Sequence, residues 1–149
     1  MNLEEKIMEG IKQAMKSHDK VALESLRAVK SAILLEKTSG AKGELDQAAE
    51  MKLLQKLVKQ RKESAEIYTQ QNRADLAEAE LAQAAVIEAY LPKQLSAEEL
   101  ETEVAAIIAQ TGASSPAEMG KVMGIASKAL AGKADGRAIA ETVKRLLAR

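Results

Sequence analysis

The sequence predicts an all-α protein. We expect a four-helix N-terminal domain, residues 1–92, followed by a small three-helix domain, residues 93–149. Two observations carry this prediction. Apolar residues recur every three or four positions along most of the chain, which is the period of an amphipathic helix. No segment of strand length alternates between apolar and polar residues, so no sheet is expected.

The first two helices are predicted from their end signals. Asn2, with Glu5 three residues later, forms a capping-box pattern before the first helix. We expect His18 to cap carbonyl groups at its end and Asp19 to cap the second helix. "TSGAKG", residues 38–43, holds two glycines and is expected to end that helix. The apolar positions of both helices are Leu3, Ile7, Ile11, Ala14, Met15, Leu23, Leu26, Val29, Ile33 and Leu34.

A long third helix is expected from about Asp46 to about Gln71, and Asn72 separates it from a fourth. Pro92, in "YLPKQLS", forces the preceding residue out of helical geometry, which places the domain boundary there. The predicted buried stripe of the third helix is Met51, Leu54, Leu57, Val58, Ala65 and Tyr68. The apolar positions of the fourth are Leu76, Ala79, Ala82, Val86 and Ala89.

Three helices are predicted after the boundary. "SAEE", starting at Ser96, is a capping box that opens a helix ending at Gly112. "SPAE", starting at Ser115, is a second capping box with proline at the first helical position, and Gly132 closes its helix. Asp135 is expected to cap the last helix. The inward residues of that helix are Ile139, Val143, Leu146 and Leu147.

The charge of the chain is balanced overall but not along its length. The sequence has 22 basic and 22 acidic residues, whereas nucleic-acid binders usually carry a basic excess. Residues 114–149 nevertheless hold seven basic and three acidic residues. The basic ones are Lys121, Lys128, Lys133, Arg137, Lys144, Arg145 and Arg149. We therefore expect the C-terminal end to face anions.

The composition excludes most catalytic and cofactor chemistry. The chain has no cysteine, and His18 is its one histidine, so neither a histidine pair for a metal nor a nucleophile beside a base is available. It lacks a phosphate-binding loop motif, and its carboxylates form no convincing acid–base pair. We expect no catalytic residue, no metal and no cofactor. With Tyr68 and Tyr90 as the two aromatic residues, stacking of single-stranded RNA bases is also not expected.

The sequence shows no sign of a membrane or secretory protein. The N-terminus "MNLEEKIMEG" has neither a basic region nor an apolar run, so we expect no signal peptide. Nowhere do about 18 apolar residues follow one another, as a membrane-spanning helix would require. The expected location is the cytoplasm.

A row of lysines on the third helix has two interpretations. Lys52, Lys56, Lys59 and Lys62 are spaced by four, three and three residues, so they lie on one helical stripe. The row is either a solvated face opposite the apolar stripe or an edge that contacts phosphates. The sequence leaves both interpretations open.

A glycine-rich segment near the C-terminus also has two interpretations. "MGKVMG" places Gly120 and Gly124 one turn apart around Lys121, although glycine inside a helix costs about 1 kcal/mol relative to alanine. The glycines either admit a close neighbouring backbone or a large partner. "KADGR" then adds Lys133, Gly136 and Arg137 at a helix start, where main-chain N–H groups and basic side chains suit a phosphate. We expect a close backbone approach at the glycines and anion contact beside them.

Six segments in register resemble the GatB/YqeY family over nearly the whole chain. They are "LRAVKSAI", "KQRKESAEIY", "NRADLAEAE", "AYLPKQLS", "MGKVMG" and "KADGRAIAETVKRLL". The resemblance implies a free-standing relative of the C-terminal tail of the GatB subunit of glutamine-dependent aminoacyl-tRNA amidotransferase. That tail helps to hold misacylated tRNA, while a separate domain of the enzyme carries out catalysis. We expect no such catalytic domain here, so a carbon–nitrogen ligase activity would describe the relatives.

By this resemblance, the RNA-facing positions are Gly120, Lys121, Gly124, Lys133, Gly136 and Arg137. Two functions from different classes follow. The first is a non-catalytic module that binds tRNA through phosphates and shape. The second is a protein–protein adaptor that docks on an amidotransferase subunit or another translation protein.

Overall fold

The computed structural model describes residues 1–39 and 45–149. These residues form α-helices and one 3₁₀ turn and contain no strand, which confirms the all-α fold class. The helices are α1 (Leu3–Ser17), α2 (Lys20–Ser39), α3 (Gln47–Gln70), α4 (Ala74–Glu88), α5 (Ala97–Thr111), α6 (Met119–Ala129) and α7 (Gly136–Leu147). The two glycines of the turn predicted at residues 38–43, Gly40 and Gly43, lie outside the described residues.

The described residues divide into two compact units, Met1–Leu91 and Pro92–Arg149. The first unit contains α1 to α4 and the second contains α5 to α7. That each unit is an independent domain stays a prediction. The core of the first unit is Leu3, Ile7, Leu26, Val29, Ile33, Leu54, Val58, Ala84 and Ile87. The core of the second is Leu100, Val104, Ile107, Val122, Ala126, Leu130, Ile139, Val143 and Leu147.

Side-chain caps begin four helices where the sequence predicts them. The Asn2 and Ser96 side chains each accept a hydrogen bond from the third helical residue, and both capping boxes are complete. Asp19 accepts a hydrogen bond from the Ala22 N–H at 3.0 Å, which caps α2. Asp135 caps α7. Each cap satisfies a main-chain donor that the helix itself leaves unpaired.

The end of α1 is capped, but not by a histidine side chain. His18 adopts a left-handed conformation with φ of 56°, and its main-chain N–H donates to the carbonyl oxygens of Ala14 and Met15. The residue therefore caps the helix as predicted, through its backbone.

The predicted apolar face of α4 is wrong in part, although Val86 packs against the core of the first unit as expected. Ala79 and Ala82 are exposed, whereas Ala77, Ala84 and Ile87 are buried in the core of the first unit. α4 carries alanine on nearly every side, so the sequence has little periodicity from which to read the buried face.

The capping box predicted at "SPAE" is also wrong. Ser115 makes no capping hydrogen bond, and residues Pro116–Glu118 form a 3₁₀ turn that leads into α6. The Glu118 carboxylate instead accepts a hydrogen bond from the Ser114 N–H at 2.6 Å. The acidic residue therefore supports the loop one residue earlier than the box requires.

Two hydrogen bonds fasten the start of the second unit to the turn between α6 and α7. The Leu95 N–H donates to the Lys133 carbonyl at 2.9 Å, and the Gln94 side-chain amide donates to the Gly132 carbonyl at 2.6 Å. Gly132 has φ of 76°, a left-handed conformation that glycine adopts without strain. These bonds fix the main chain that carries Lys133 towards α7.

Candidate nucleic-acid interface

Helix α6 divides into a core face and a solvent face. Val122 and Ala126 have no exposed surface, and Met119 and Met123 are half-buried beside them. The opposite side lines a shallow, open depression. Its residues, which we call the α6 outward face, are Gly120, Lys121, Gly124, Ile125, Lys128 and Ala129. Packing of the apolar side therefore fixes the direction in which the glycines and lysines point.

Gly120 and Gly124 do not pack against any other element among residues 1–39 and 45–149. Both are exposed, and a Cβ atom added to either would meet no atom within 4 Å. The expectation of a close backbone approach is therefore wrong. A glycine spacing of four suits helix packing, but the residues opposite decide whether packing occurs. Here the two positions leave a strip of main chain without side chains on the surface.

Two lysines lie beside this strip, on the same side of it. The Lys121 ammonium donates to the Thr111 carbonyl at the end of α5, at 3.3 Å. An ammonium has three donors, so this bond leaves capacity for an anion. Lys128, one turn after Gly124, is exposed and forms no ion pair with a described residue. Sequence reasoning missed Lys128 as a site residue, although its position at i+4 from Gly124 and i+7 from Lys121 was a usable signal.

The start of α7 is more neutral than its sequence implies. The Arg137 N–H donates to the Asp135 carboxylate at 2.8 Å, so an acidic side chain occupies the position where a phosphate would bind. The Arg137 guanidinium donates to Glu141 at 3.2 Å across one helical turn. Lys133 and Gly136 are exposed, and neither they nor Arg137 lines the depression beside α6. Their role in RNA binding stays a prediction.

Two further basic residues form ion pairs within the second unit. Arg145 and Arg149 both pair with the Glu101 carboxylate on α5, at 3.5 and 3.4 Å. Since these ion pairs join residues far apart in sequence, the basic excess counted along residues 114–149 overstates the charge available to a partner. Lys128, Lys133 and Lys144 are the lysines of this segment for which the described residues provide neither an ion pair nor a side-chain hydrogen bond.

The four predicted lysines of α3 are all exposed: Lys52, Lys56, Lys59 and Lys62. Lys62 pairs with Glu88 on α4 at 2.5 Å, and the neighbouring Arg61 donates to Gln83 at 3.1 Å. Lys52, Lys56 and Lys59 form no ion pair with any described residue. Of these four lysines, the last one is therefore paired, whereas the first three have no ion pair with a described residue.

The described parts of the chain offer no other obvious site. Within residues 1–39 and 45–149, no group of three His, Cys, Asp or Glu side chains could hold a metal ion. No helix in these ranges is long and apolar enough to cross a membrane.

Three groups have shifted pKa values. Hydrogen bonds from Arg73 lower the pKa of Asp75, and those of the Ser96 cap lower the pKa of Glu99. Burial raises the pKa of Tyr90. Each shift has a structural cause in a cap, a surface pair or the core.

Comparison with known proteins identifies the family. The model of the YqeY-like proteins matches residues 4–147. The chain belongs to the YqeY-like protein family. A curated relative, "Altered inheritance of mitochondria protein 41, mitochondrial" from Meyerozyma guilliermondii, is 41% identical over 81 residues. The match spans 54% of this YqeY-like chain and 42% of that relative, so less than half of the relative's length is covered.

Proposed function

We propose that this YqeY-like protein is a non-catalytic module that binds structured RNA, with tRNA as the ligand, through the α6 outward face. The observation that carries the proposal is the strip of main chain at Gly120 and Gly124, which no described residue covers. Lysines stand beside the strip, and acidic residues are absent from the lining of the depression. The implied kinship with the tRNA-holding tail of GatB supports the same assignment.

The chemistry of the face suits a sugar–phosphate backbone. Lysine binds phosphate as a mobile point charge, and contacts to phosphates fix position without reading sequence. The absence of two side chains lets a partner approach the helix more closely than alanine or a longer residue would allow. Structured RNA is recognised largely by shape and by contacts to phosphates and 2′-hydroxyl groups, which such a face can supply without aromatic residues.

The first test removes charge from the face. We expect the double variant Lys121→Gln/Lys128→Gln to bind folded tRNA more weakly than the unaltered protein in a fluorescence-anisotropy titration. Each lost phosphate contact should also reduce the slope of log K against log salt by about 0.7 to 0.9, so two contacts should reduce it by about 1.5.

The matched control removes the same charge from α1. Lys12→Gln/Lys16→Gln alters two exposed lysines that pair with no described residue. This variant should keep the affinity and the salt slope. Circular dichroism of all three proteins checks that the fold is retained. Equal binding by the Lys121/Lys128 variant and the control would remove the α6 outward face from the proposal.

A protein adaptor is the second candidate, and exposed leucines favour it. Leu34 and Leu35 at the end of α2 are 47% and 67% exposed, although burying such a side chain gains about 1.5–3 kcal/mol. An amidotransferase subunit or another translation protein would be the partner. The adaptor should co-purify with one protein in fixed ratio after nuclease treatment, and Leu34→Gln/Leu35→Gln should abolish this. Recovery of RNA alone would count against it.

The cytoplasmic location is part of the proposal. The name of the Meyerozyma guilliermondii relative places that protein in mitochondria, which gives the alternative. Fractionation of cells that express the full-length protein with a C-terminal tag distinguishes the two compartments.

A further inference from the structure

We propose that Lys52, Lys56 and Lys59 on α3 form a second phosphate-binding surface, so that the protein contacts RNA through both of its compact units. We call these three residues the α3 lysine row. This inference rests on the proposed RNA binding, but different observations carry it. The α3 lysine row belongs to the first unit, whereas the α6 outward face belongs to the second.

The pairing of charges along α3 separates this row from its neighbours. The stretch from Met51 to Lys62 has five basic residues and no acidic one. The two basic residues at its end, Arg61 and Lys62, bond to Gln83 and Glu88 on α4. The three that precede them are all exposed and lack an ion pair with any described residue. The charge without an ion pair therefore concentrates on the solvent side of α3 between Lys52 and Lys59.

Packing of α3 against the core fixes the direction in which the row points. Leu54 and Val58, on the opposite side of the same turns, are buried among the helices of the first unit. Lys52 and Lys59 are seven residues apart, so their Cα atoms are separated by about 10 Å along the helix at about 1.5 Å per residue. Three charges at fixed spacing along a line suit a polymer of phosphates better than a single small anion.

The surroundings of the row favour nucleic acid over an acidic protein. Stable protein interfaces have an apolar centre. On the solvent side of this stretch the exposed residues are Lys52, Lys56, Lys59, Gln60 and Lys62, and none of them is apolar. Lysine and glutamine side chains are among the usual donors to phosphate oxygens. We therefore assign the row to the sugar–phosphate backbone of RNA.

The test uses full-length triple variants of equal charge. Lys52→Gln/Lys56→Gln/Lys59→Gln removes the row, and Lys6→Gln/Lys12→Gln/Lys16→Gln removes three exposed lysines from α1, where Glu9 lies among them. In salt titrations with folded tRNA, the row variant should lose about 2.1 to 2.7 units of the slope of log K against log salt. It should also bind at least tenfold more weakly at low salt. The α1 variant should behave like the unaltered protein.

Three results would overturn the inference. The first is a row variant that keeps the salt slope while the Lys121/Lys128 variant loses binding. This result would reject the row and keep the proposed function. Failure of the unaltered protein to bind tRNA at low salt would reject both. If the unaltered protein binds poly-L-glutamate as tightly as tRNA, the row is assigned to acidic proteins instead. Unchanged urea midpoints across the variants would show that loss of binding is not loss of folding.

Discussion

At the residue scale, the glycines of this chain differ in what surrounds them. Gly10 on α1 is half-buried, and an added Cβ atom would overlap the Tyr90 hydroxyl and lie 2.9 Å from a methyl group of Leu26. Gly124 on α6 is exposed, and an added Cβ atom would meet nothing within 4 Å. Packing therefore disfavours a side chain at the first position, whereas nothing described opposes one at the second.

Alanine substitutions should separate these two cases. Gly10→Ala gains helix propensity of about 1 kcal/mol but overpacks a contact with buried Leu26, which typically costs about 1–3 kcal/mol. We expect a net loss of about 1 kcal/mol in the free energy of unfolding. Gly124→Ala should gain about 0.5–1 kcal/mol, because nothing opposes its side chain. Urea denaturation measures both, and a stabilised Gly10→Ala or a destabilised Gly124→Ala would contradict the account of these contacts.

The sequence singled out the wrong glycine for packing. Gly120 and Gly124 have the spacing of a close helix contact, and Gly10 has no recognisable pattern. The clash at Gly10 depends on Tyr90, which is eighty residues away in the sequence. Spacing predicts which residues share a face, but it does not predict what lies opposite.

A second residue-scale prediction concerns Glu99 and acid. Hydrogen bonds from the Ser96 main chain and side chain, followed by the charge of Lys93, lower the pKa of Glu99 in the folded protein. A carboxyl group whose pKa is lower when folded stabilises the fold above its unfolded pKa, about 4.3, and this contribution disappears as pH falls through the folded pKa. Stability should therefore decline below about pH 4.3 partly through this group.

Glu99→Gln tests this prediction. Glutamine can replace glutamate in a capping box but does not titrate in this range. The variant should show a smaller fall in melting temperature between pH 5 and pH 3 than the unaltered protein. Some fall should remain, because Asp75 also has a lowered pKa, caused first by Arg73. Identical pH profiles for the two proteins would show that the cap of α5 does not contribute to acid sensitivity.

At the element scale, the start of α7 combines a structural cap with a charge that opposes anion binding. Asp135→Ala removes the hydrogen bond to the Arg137 N–H and should cost about 1 kcal/mol of stability. Asp135→Asn should keep the stability, since asparagine caps helices as well as aspartate does. Removal of one negative charge beside Lys133 and Arg137 should also tighten tRNA binding by the Asn variant. Unchanged affinity would exclude these residues from the interface.

Helix ends were more predictable than helix faces. The caps at Asn2, Asp19, Ser96 and Asp135 follow from short-range hydrogen bonds that the sequence encodes within four residues. The buried face of α4 could not be predicted, because alanine fits both core and surface. The failed capping box at Ser115 is an exception among the helix ends, since Glu118 accepts a hydrogen bond from the Ser114 N–H instead.

At the scale of the whole molecule, a net charge of zero conceals an uneven distribution. Of the six predicted RNA-facing residues, the structure brings Gly120, Lys121 and Gly124 together in one depression, and adds Lys128. Basic residues that form ion pairs with other helices are less available to bind an anion. Glu101 engages Arg145 and Arg149 from more than forty residues away, so composition along the chain could not predict this loss.

The central claim is that the α6 outward face binds RNA because its two glycines leave the main chain uncovered. The most direct measurement is the tRNA affinity of Gly120→Gln/Gly124→Gln, read by fluorescence anisotropy beside a urea denaturation curve. Glutamine is a good helix former and leaves the net charge unchanged, so the fold should be at least as stable. We predict affinity at least tenfold weaker with no loss of stability. Unchanged affinity in the folded variant would contradict the claim.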